Sequence, residues 1–289
     1  MDFLWESIQD WLKEILVSGI ISNLSGMFDA VNQKVGELPA VVGQTPQGWN
    51  AGIFNMVRNL SDTVIVPIAA MILALVMTLE LIQMIVDRNN MHDIDTWMMF
   101  KWVFKSACAV ILVTNTWNII MSVFEVVQSA VTRASGVIVG NTSIDISTVI
   151  ADMETRLMAM ELGPLFGLWF QSLFIGITMW ILTLCIFIVA YGRMVEIYLV
   201  TSVAPIPMAT MMGKEWGGMG QGYLRSLLAL GFQAFLIIVC VAIYAVLVQG
   251  ISMDADIISA VWSCLGYTAL LCFCLVKTGN LAKGIFAAH

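Results

Sequence analysis

The chain has 289 residues, 60% of them hydrophobic and only 11% charged, with a mean hydropathy of +0.89. Those proportions exclude a soluble globular enzyme and place the chain among integral membrane proteins. The net charge of −7, with only 13 Lys and Arg, leaves too little positive charge for a nucleic-acid-binding patch, so any polynucleotide is handled transiently or by a partner.

Residues 2–30 come first in chain order. Phe3, Leu4, Ile8, Trp11, Leu12, Ile15, Leu16 and Ile20 recur at helical spacing, with Glu6, Asp10, Lys13 and Glu14 elsewhere on the turn. That predicts an amphipathic helix lying on the membrane or packed on a partner subunit. Its polar face is acidic, so anionic lipid does not attract it. The acidic start, with Asp2, Glu6, Asp10 and Glu14, also lacks the basic region of a signal peptide. Residues 35–52, with Pro39 and Pro46, read as a linker. Residues 1–60 are accordingly expected to form an extracytoplasmic N-terminal region and 61–289 the transmembrane domain.

A membrane-crossing helix needs about 20 mainly apolar residues, and about five segments qualify: 63–86, 106–127, 165–190, 226–250 and 257–276. A shorter apolar piece, 197–212, is interrupted by Pro205 and Pro207, each of which removes a backbone donor. Such irregular backbone is tolerated at membrane depth only where it is buried in protein or lines a polar cavity. If 197–212 re-enters, Arg88, Lys101, Lys105, Arg193, Lys214, Arg225, Lys277 and Lys283 share one side. The short 251–256 loop, with only Asp254 and Asp256, then faces the other. The positive-inside rule favours that arrangement, with the N-terminus outside and the C-terminus cytoplasmic. A full crossing would put Lys277 and Lys283 outside. The expected fold is an all-α polytopic membrane protein with a proline-broken re-entrant segment. Residues 128–162 form its longest exterior loop, helical in part around Thr148–Met160.

The polar residues within these spans are the candidates for a channel or for core packing. Glu80 is the one carboxylate inside the first span. It either faces the bundle interior or water, or pairs near the interface with Lys101 or Lys105. Asn115 and Asn118, three apart in the second span, and Gln171 and Gln233 in the third and fourth suit interhelical hydrogen bonds better than solute contact. Arg193 and Glu196 are spaced to pair on one helix face, or to fix the entry to the Pro205–Pro207 segment. The glycine-rich run Gly217-Gly218-Met219-Gly220-Gln221-Gly222 lacks the Gly-Lys-Ser/Thr ending of a phosphate loop and reads as a flexible cytoplasmic turn. Cys108, Cys185, Cys240, Cys264, Cys272 and Cys274 all fall in predicted spans and read as small buried hydrophobes. No nucleophile–base pair, acidic dyad or metal cluster stands out, so no catalytic, cofactor or metal site is expected.

Three stretches carry a family likeness: Tyr191-Gly192-Arg193-Met194-Val195-Glu196-Ile197-Tyr198-Leu199, then Ala204-Pro205-Ile206-Pro207-Met208-Ala209, then Tyr223-Leu224-Arg225 running on to Phe235. With the span layout over about residues 60–280, they resemble the TrbL family, the polytopic membrane subunit of conjugative type IV secretion systems. The resemblance implies an inner-membrane channel subunit in a homo-oligomeric ring, partnered by other secretion subunits, ATPases and a coupling protein. Single-stranded DNA with bound relaxase would be its transient substrate and the lipid bilayer its surroundings. The exterior loop is short beside that of some family members. Two other readings stand beside it. One is a stand-alone small-solute transporter or channel, suggested by Glu80 and the broken helix. The other is a membrane anchor recruiting cytoplasmic partners through 88–105 and 213–225.

Overall fold

A computed structural model describes residues 2–86, 96–138, 147–250 and 257–288, and these are all-helical. Arg88 and the 251–256 loop lie outside the described residues. In chain order the helices are α1 (Asp2–Val42), α2 (Pro46–Trp49), α3 (Ala51–Leu60), α4 (Val66–Val86), α5 (Thr96–Thr114) and α6 (Thr116–Ile138). They continue as α7 (Ser147–Met158), α8 (Leu162–Ser202), α9 (Pro205–Thr210), α10 (Gly217–Gln249) and α11 (Ile257–Ile285). A single π-turn, Ser61–Ile65, joins α3 to α4, so residues 51–86 form one helical run.

Among the described residues, six helices are long and apolar enough to cross a membrane: Ser7–Val42, Ala51–Val86, Thr96–Thr114, Leu162–Ser202, Gly217–Val248 and Trp262–Ile285. The chain is a polytopic membrane protein. Where hydropathy suggests a second span at 106–127, the structure has α5 and α6 meeting at Asn115. Thr114, Asn115 and Thr116 all turn their side chains back onto carbonyls one turn earlier, Val110, Ile111 and Leu112, at 2.8–3.0 Å. Such back-bonding competes with the ladder and bends helices.

Helix α1 also outruns its expectation, because residues 35–42 are helix and not linker, with Pro39 inside it. Val17, Leu24, Val31 and Leu38 recur every seven residues, and Val35 and Val42 repeat likewise; all are buried. That stripe carries the helix through a residue which by propensity would end it.

The chain divides into two compact units. The first comprises residues 1–41, 134–191 and 237–277. Within it α1 lies close on α8: a Cβ on Gly19 would sit 2.8 Å from the Trp169 indole nitrogen. Asn23 donates to the Ser172 hydroxyl at 3.0 Å. Helices α10 and α11 are joined there by a Tyr244–Thr268 hydroxyl pair at 3.1 Å, and Cys272 donates to the Leu182 carbonyl of α8. All six cysteines are free.

The second unit comprises residues 42–133, 192–236 and 278–289. The helical run 51–86 is its ruler. Tyr198 packs with Phe54 and Val57 near the start of the run. Ala209 packs with Ala69, Leu73 and Val76 along it, and the Lys214 amide reaches Glu80 near its end. What the sequence reads as a re-entrant piece therefore advances alongside this run, enclosed by α4 and α5. The chain reverses at Met211–Trp216, and α10 makes the return. Tyr223 donates to the Val200 carbonyl at 3.2 Å, and Leu227 and Leu230 pack on Met194 and Ile197.

The glycine-rich run is not a flexible turn: Gly217–Gly222 forms the first turns of α10. A Cβ on Gly220 would lie 2.6 Å from the Pro207 carbonyl oxygen and 2.8 Å from the Met211 Cα. Glycine is there because α10 rests directly on the backbone of α9. Gly220→Ala is expected to lower stability by roughly 1–3 kcal/mol through overpacking. Gly222→Ala, which meets open space, should raise it slightly through helix propensity. Thermal unfolding of the two variants in detergent checks this; equal midpoints would refute the close approach.

Candidate functional site

The second unit holds most of the sequence candidates, grouped around α9. Pro205 takes the first position of α9 and Pro207 the third, where amide donors have no intrahelical acceptor, so neither ring forfeits a bond. The turn before them is closed by short-range bonds, Ala204 to Thr201 at 3.2 Å and Ile206 to Val203 at 3.1 Å. Pro205, Pro207, Met208, Ala209 and Thr210 are all buried. The broken backbone is thus satisfied within protein, as an apolar setting requires.

Two polar latches hold it. At one end Arg193, 5% exposed, donates from Nε to the Leu230 carbonyl at 3.2 Å, from Nη1 to Val42 at 3.3 Å and from Nη2 to Gly231 at 3.5 Å. Val42 is the last residue of α1, so its carbonyl is among those a helix leaves without an internal partner. A cation there also meets the negative end of the helix dipole. The guanidinium fork suits three carbonyls on two helices as a single ammonium would not. Tyr198, one turn on, donates to the Pro46 carbonyl at 2.5 Å and approaches that of Asn50 at 3.3 Å. Together Arg193 and Tyr198 pin residues 42–50, which their own side-chain caps keep folded, Thr45 onto Gly48 and Asn50 onto Ile53.

The other latch is Glu80. Both its carboxylate oxygens accept from the Lys105 ammonium, at 2.6 and 2.7 Å, and one also accepts the Lys214 amide at 2.8 Å. Its side chain is 12% exposed and that of Lys105 37%. One residue of α4 therefore ties α5 and the turn after α9. Of the pairings expected for Glu80, the structure has Lys105. The Lys101 ammonium lies over the Trp97 ring, 5.4 Å from its centroid. Beside the latch, the Trp102 indole donates to the Met77 carbonyl at 3.1 Å, and Gln83 donates to Glu215 at 2.8 Å.

The remaining candidates fall elsewhere. Glu196 does not salt-bridge its expected neighbour Arg193. Its carboxylate lies 3.5 Å from Lys283 of α11, and both side chains are nearly half exposed. The reason is position: Arg193 points into the unit toward α10, while Glu196, three residues on, sits at its surface. Gln233 is buried and approaches the Thr278 hydroxyl at 3.4 Å, an interhelical contact between α10 and α11. Gln171 is half-buried on α8 in the first unit.

Asn115 and Asn118 are exposed, and the Asn115 amide bonds within its own helix. They begin a polar stripe. Asn115, Asn118, Ser122, Glu125, Ser129 and Thr132 follow alternate steps of three and four, and all are exposed. On the opposite face Trp117, Ile120, Phe124 and Val131 are buried. Val126, 71% exposed, lies beside the stripe, and α1 also exposes polar residues, Asp10, Glu14, Ser18 and Ser22 among them. On α4, α5 and α8 the exposed residues are largely apolar, with Met71, Leu75, Leu79 and Ile82 on α4, Phe100 and Phe104 on α5, and Phe170, Phe174 and Ile177 on α8. Only the Asn115–Asn118 pair of this stripe was legible in the sequence, because its burial side is set by tertiary packing.

The family model described as TrbL/VirB6 plasmid conjugal transfer like protein matches residues 31–205, more than half of the chain. The match takes in the end of α1, α2 to α8 and the first residue of α9, so both Arg193 and its Val42 acceptor lie within it. The stretch from Tyr223 to Phe235 lies beyond it. No curated protein and no solved structure matches the chain significantly.

Loss of the first latch should free the segment it pins. Tyr198→Phe is expected to cost about 1 kcal/mol, and Arg193→Lys more, with protease cleavage appearing between Gly43 and Trp49; cleavage unchanged from wild type in both variants would argue against the latch. For the second latch, a double-mutant cycle of Glu80→Gln and Lys105→Gln should give a coupling energy of about 1–3 kcal/mol in unfolding. A coupling near zero would reduce the pair to a surface contact.

Proposed function

The chain belongs to the TrbL/VirB6 family of conjugal-transfer membrane proteins, and on that premise we propose that it is a structural subunit of the inner-membrane part of a conjugative type IV secretion channel. In this reading it helps pass single-stranded DNA with bound relaxase across the cell membrane. Its partners are the other secretion subunits, with the ATPases and coupling protein that supply the energy, since the chain has no nucleotide-binding motif. The positive-inside argument for an outside N-terminus and a cytoplasmic C-terminus does not carry over to this fold. The reason is that Lys283 lies by Glu196 at the Arg193 end of the second unit, while Lys105 and Lys214 lie at its Glu80 end.

Beyond family membership, the observation that carries the reading is the exposed polar stripe that begins at Asn115 and runs along α6 from Asn118 to Thr132. Hydroxyls, amides and the carboxylate of Glu125 are costly against hydrocarbon, so this face turns to water or to protein. Copies of the chain arranged in a ring would turn these faces to a shared aqueous path. Polar groups with little net charge suit such a path, since a densely basic lining would retain a phosphate backbone.

The solute-transporter reading draws less support. The two features that suggested it, Glu80 and the broken helix, are both engaged in packing within the second unit.

Deleting the gene should abolish conjugative transfer while relaxase nicking continues; normal transfer in the deletion strain would sink the proposal. In a background without the native cysteines, Asn118→Cys, Ser122→Cys and Glu125→Cys should react in cells with a water-soluble maleimide. Met71→Cys and Leu75→Cys, on the apolar face of α4, should resist it. The same rate at all five positions would contradict a wetted α6 face.

A further inference from the structure

Two recesses on the α4–α5 pair adjoin each other. One, of about 250 Å³, is lined by Lys101, Lys105, Lys214 and Glu80, with Trp102 in its wall. The other, of about 400 Å³, is a groove between the same helices, lined by Val66, Leu73, Met77, Val110 and Val113, and it too has Trp102 in its wall. A cationic recess thus opens, across one indole ring, onto an apolar groove of larger volume. We propose that this pair of recesses binds an anionic phospholipid, its headgroup phosphate among the three lysines and an acyl chain along the groove.

Three observations favour that occupant. Among the described residues, the recess lining carries three ammonium groups and one carboxylate, and that carboxylate is held by Lys105 and the Lys214 amide. A second carboxylate nearby, Glu215, is held by Gln83. Lysines gathered in a recess between membrane helices are the setting in which phosphate headgroups are recognised. Next, Trp97 is 58% exposed and stacks on Phe100 with ring centroids 5.6 Å apart, close to Lys101. Exposed tryptophan marks headgroup depth. Last, the groove continues from the recess along α4 and α5 toward Val66 and Val113, residues inside apolar helices. A free phosphate would use the lysines and leave the groove without a purpose; a lipid uses both.

The test uses the full-length protein, delipidated in detergent and titrated with brominated phosphatidylglycerol or brominated phosphatidylcholine. Trp102 quenching is read as the difference between wild type and Trp102→Phe. Phosphatidylglycerol should quench Trp102 at concentrations where phosphatidylcholine does not. Replacing the two exposed lysines, Lys101→Gln with Lys214→Gln, should weaken phosphatidylglycerol about tenfold. Ala74→Phe, which fills the groove, should weaken both lipids alike. Equal quenching by the two lipids, or an unchanged affinity in the lysine double variant, would overturn the proposal. Displacement of brominated phosphatidylglycerol by millimolar inorganic phosphate would overturn it too, by assigning the recess to free phosphate.

Discussion

The second unit depends on one constraint: a helix broken by two prolines must keep its backbone polar groups away from hydrocarbon. An unpaired amide or carbonyl in an apolar medium costs several kcal/mol, so α9 is viable only if protein encloses it. Helices α4 and α5 supply the enclosure, and α10 closes it from the other side through glycine contact. The small residues along this path, Ala69, Ala109, Ala209 and Gly220, follow from the same need, since they let backbones approach. Proline at the first and third positions of α9 removes donors that would have lacked acceptors. The segment is therefore well paired despite its composition.

Polar side chains then fix the register of this enclosure from both ends. Arg193 and Tyr198 hold the entrance by capping α1 and gripping the turn at 43–50. Glu80 holds the exit by binding α5 and the turn after α9 at once. The Arg193 bonds are buried, where electrostatic attraction is stronger than in water and loss of one partner leaves the other unsatisfied, whereas the Glu80 latch lies partly open to its recess. The polar groups that hydropathy marks as anomalies in the spans are thus largely the fasteners between them. The polar face of α6 is different in kind: its residues point outward, which is why it carries the functional reading while Pro205 and Pro207 do not.

Much of this was legible in the sequence. Arg193, Glu80 and the prolines stand out as polar or irregular positions in apolar surroundings, and the choice of Lys105 as one of two partners for Glu80 was within reach. Gln233, as an interhelical contact, was also readable from its place in a span. The pairing of Arg193 was not. A spacing of three suggested Glu196, yet Arg193 turns inward to carbonyls of α10 and α1 and Glu196 turns to Lys283, because side-chain direction depends on what packs against α8. The helix through Pro39 was hidden for a related reason, as propensity argues against it and only the buried seven-residue repeat of α1 outweighs that. The glycines at 217–222 misled in the same way. They signal flexibility to a local reading, but they start a helix, and Gly217 and Gly220 let it pack closely on the backbone before it.

By itself the sequence determined the class of the protein, an all-helical polytopic membrane protein. It also located most of the spans, set charge along them, and carried the family likeness in the residues from Tyr191 to Pro205. Hydropathy and charge are sums over neighbouring residues, so they survive without knowledge of the fold. Only the tertiary structure decided which carbonyls Arg193 meets, which faces of α6 are buried and exposed, and that α9 is enclosed by α4 and α5. Those facts depend on helices far apart in the chain coming together, and a contact of that kind has no local signature. The polar residues show where helices must be joined; the packing alone settles to what.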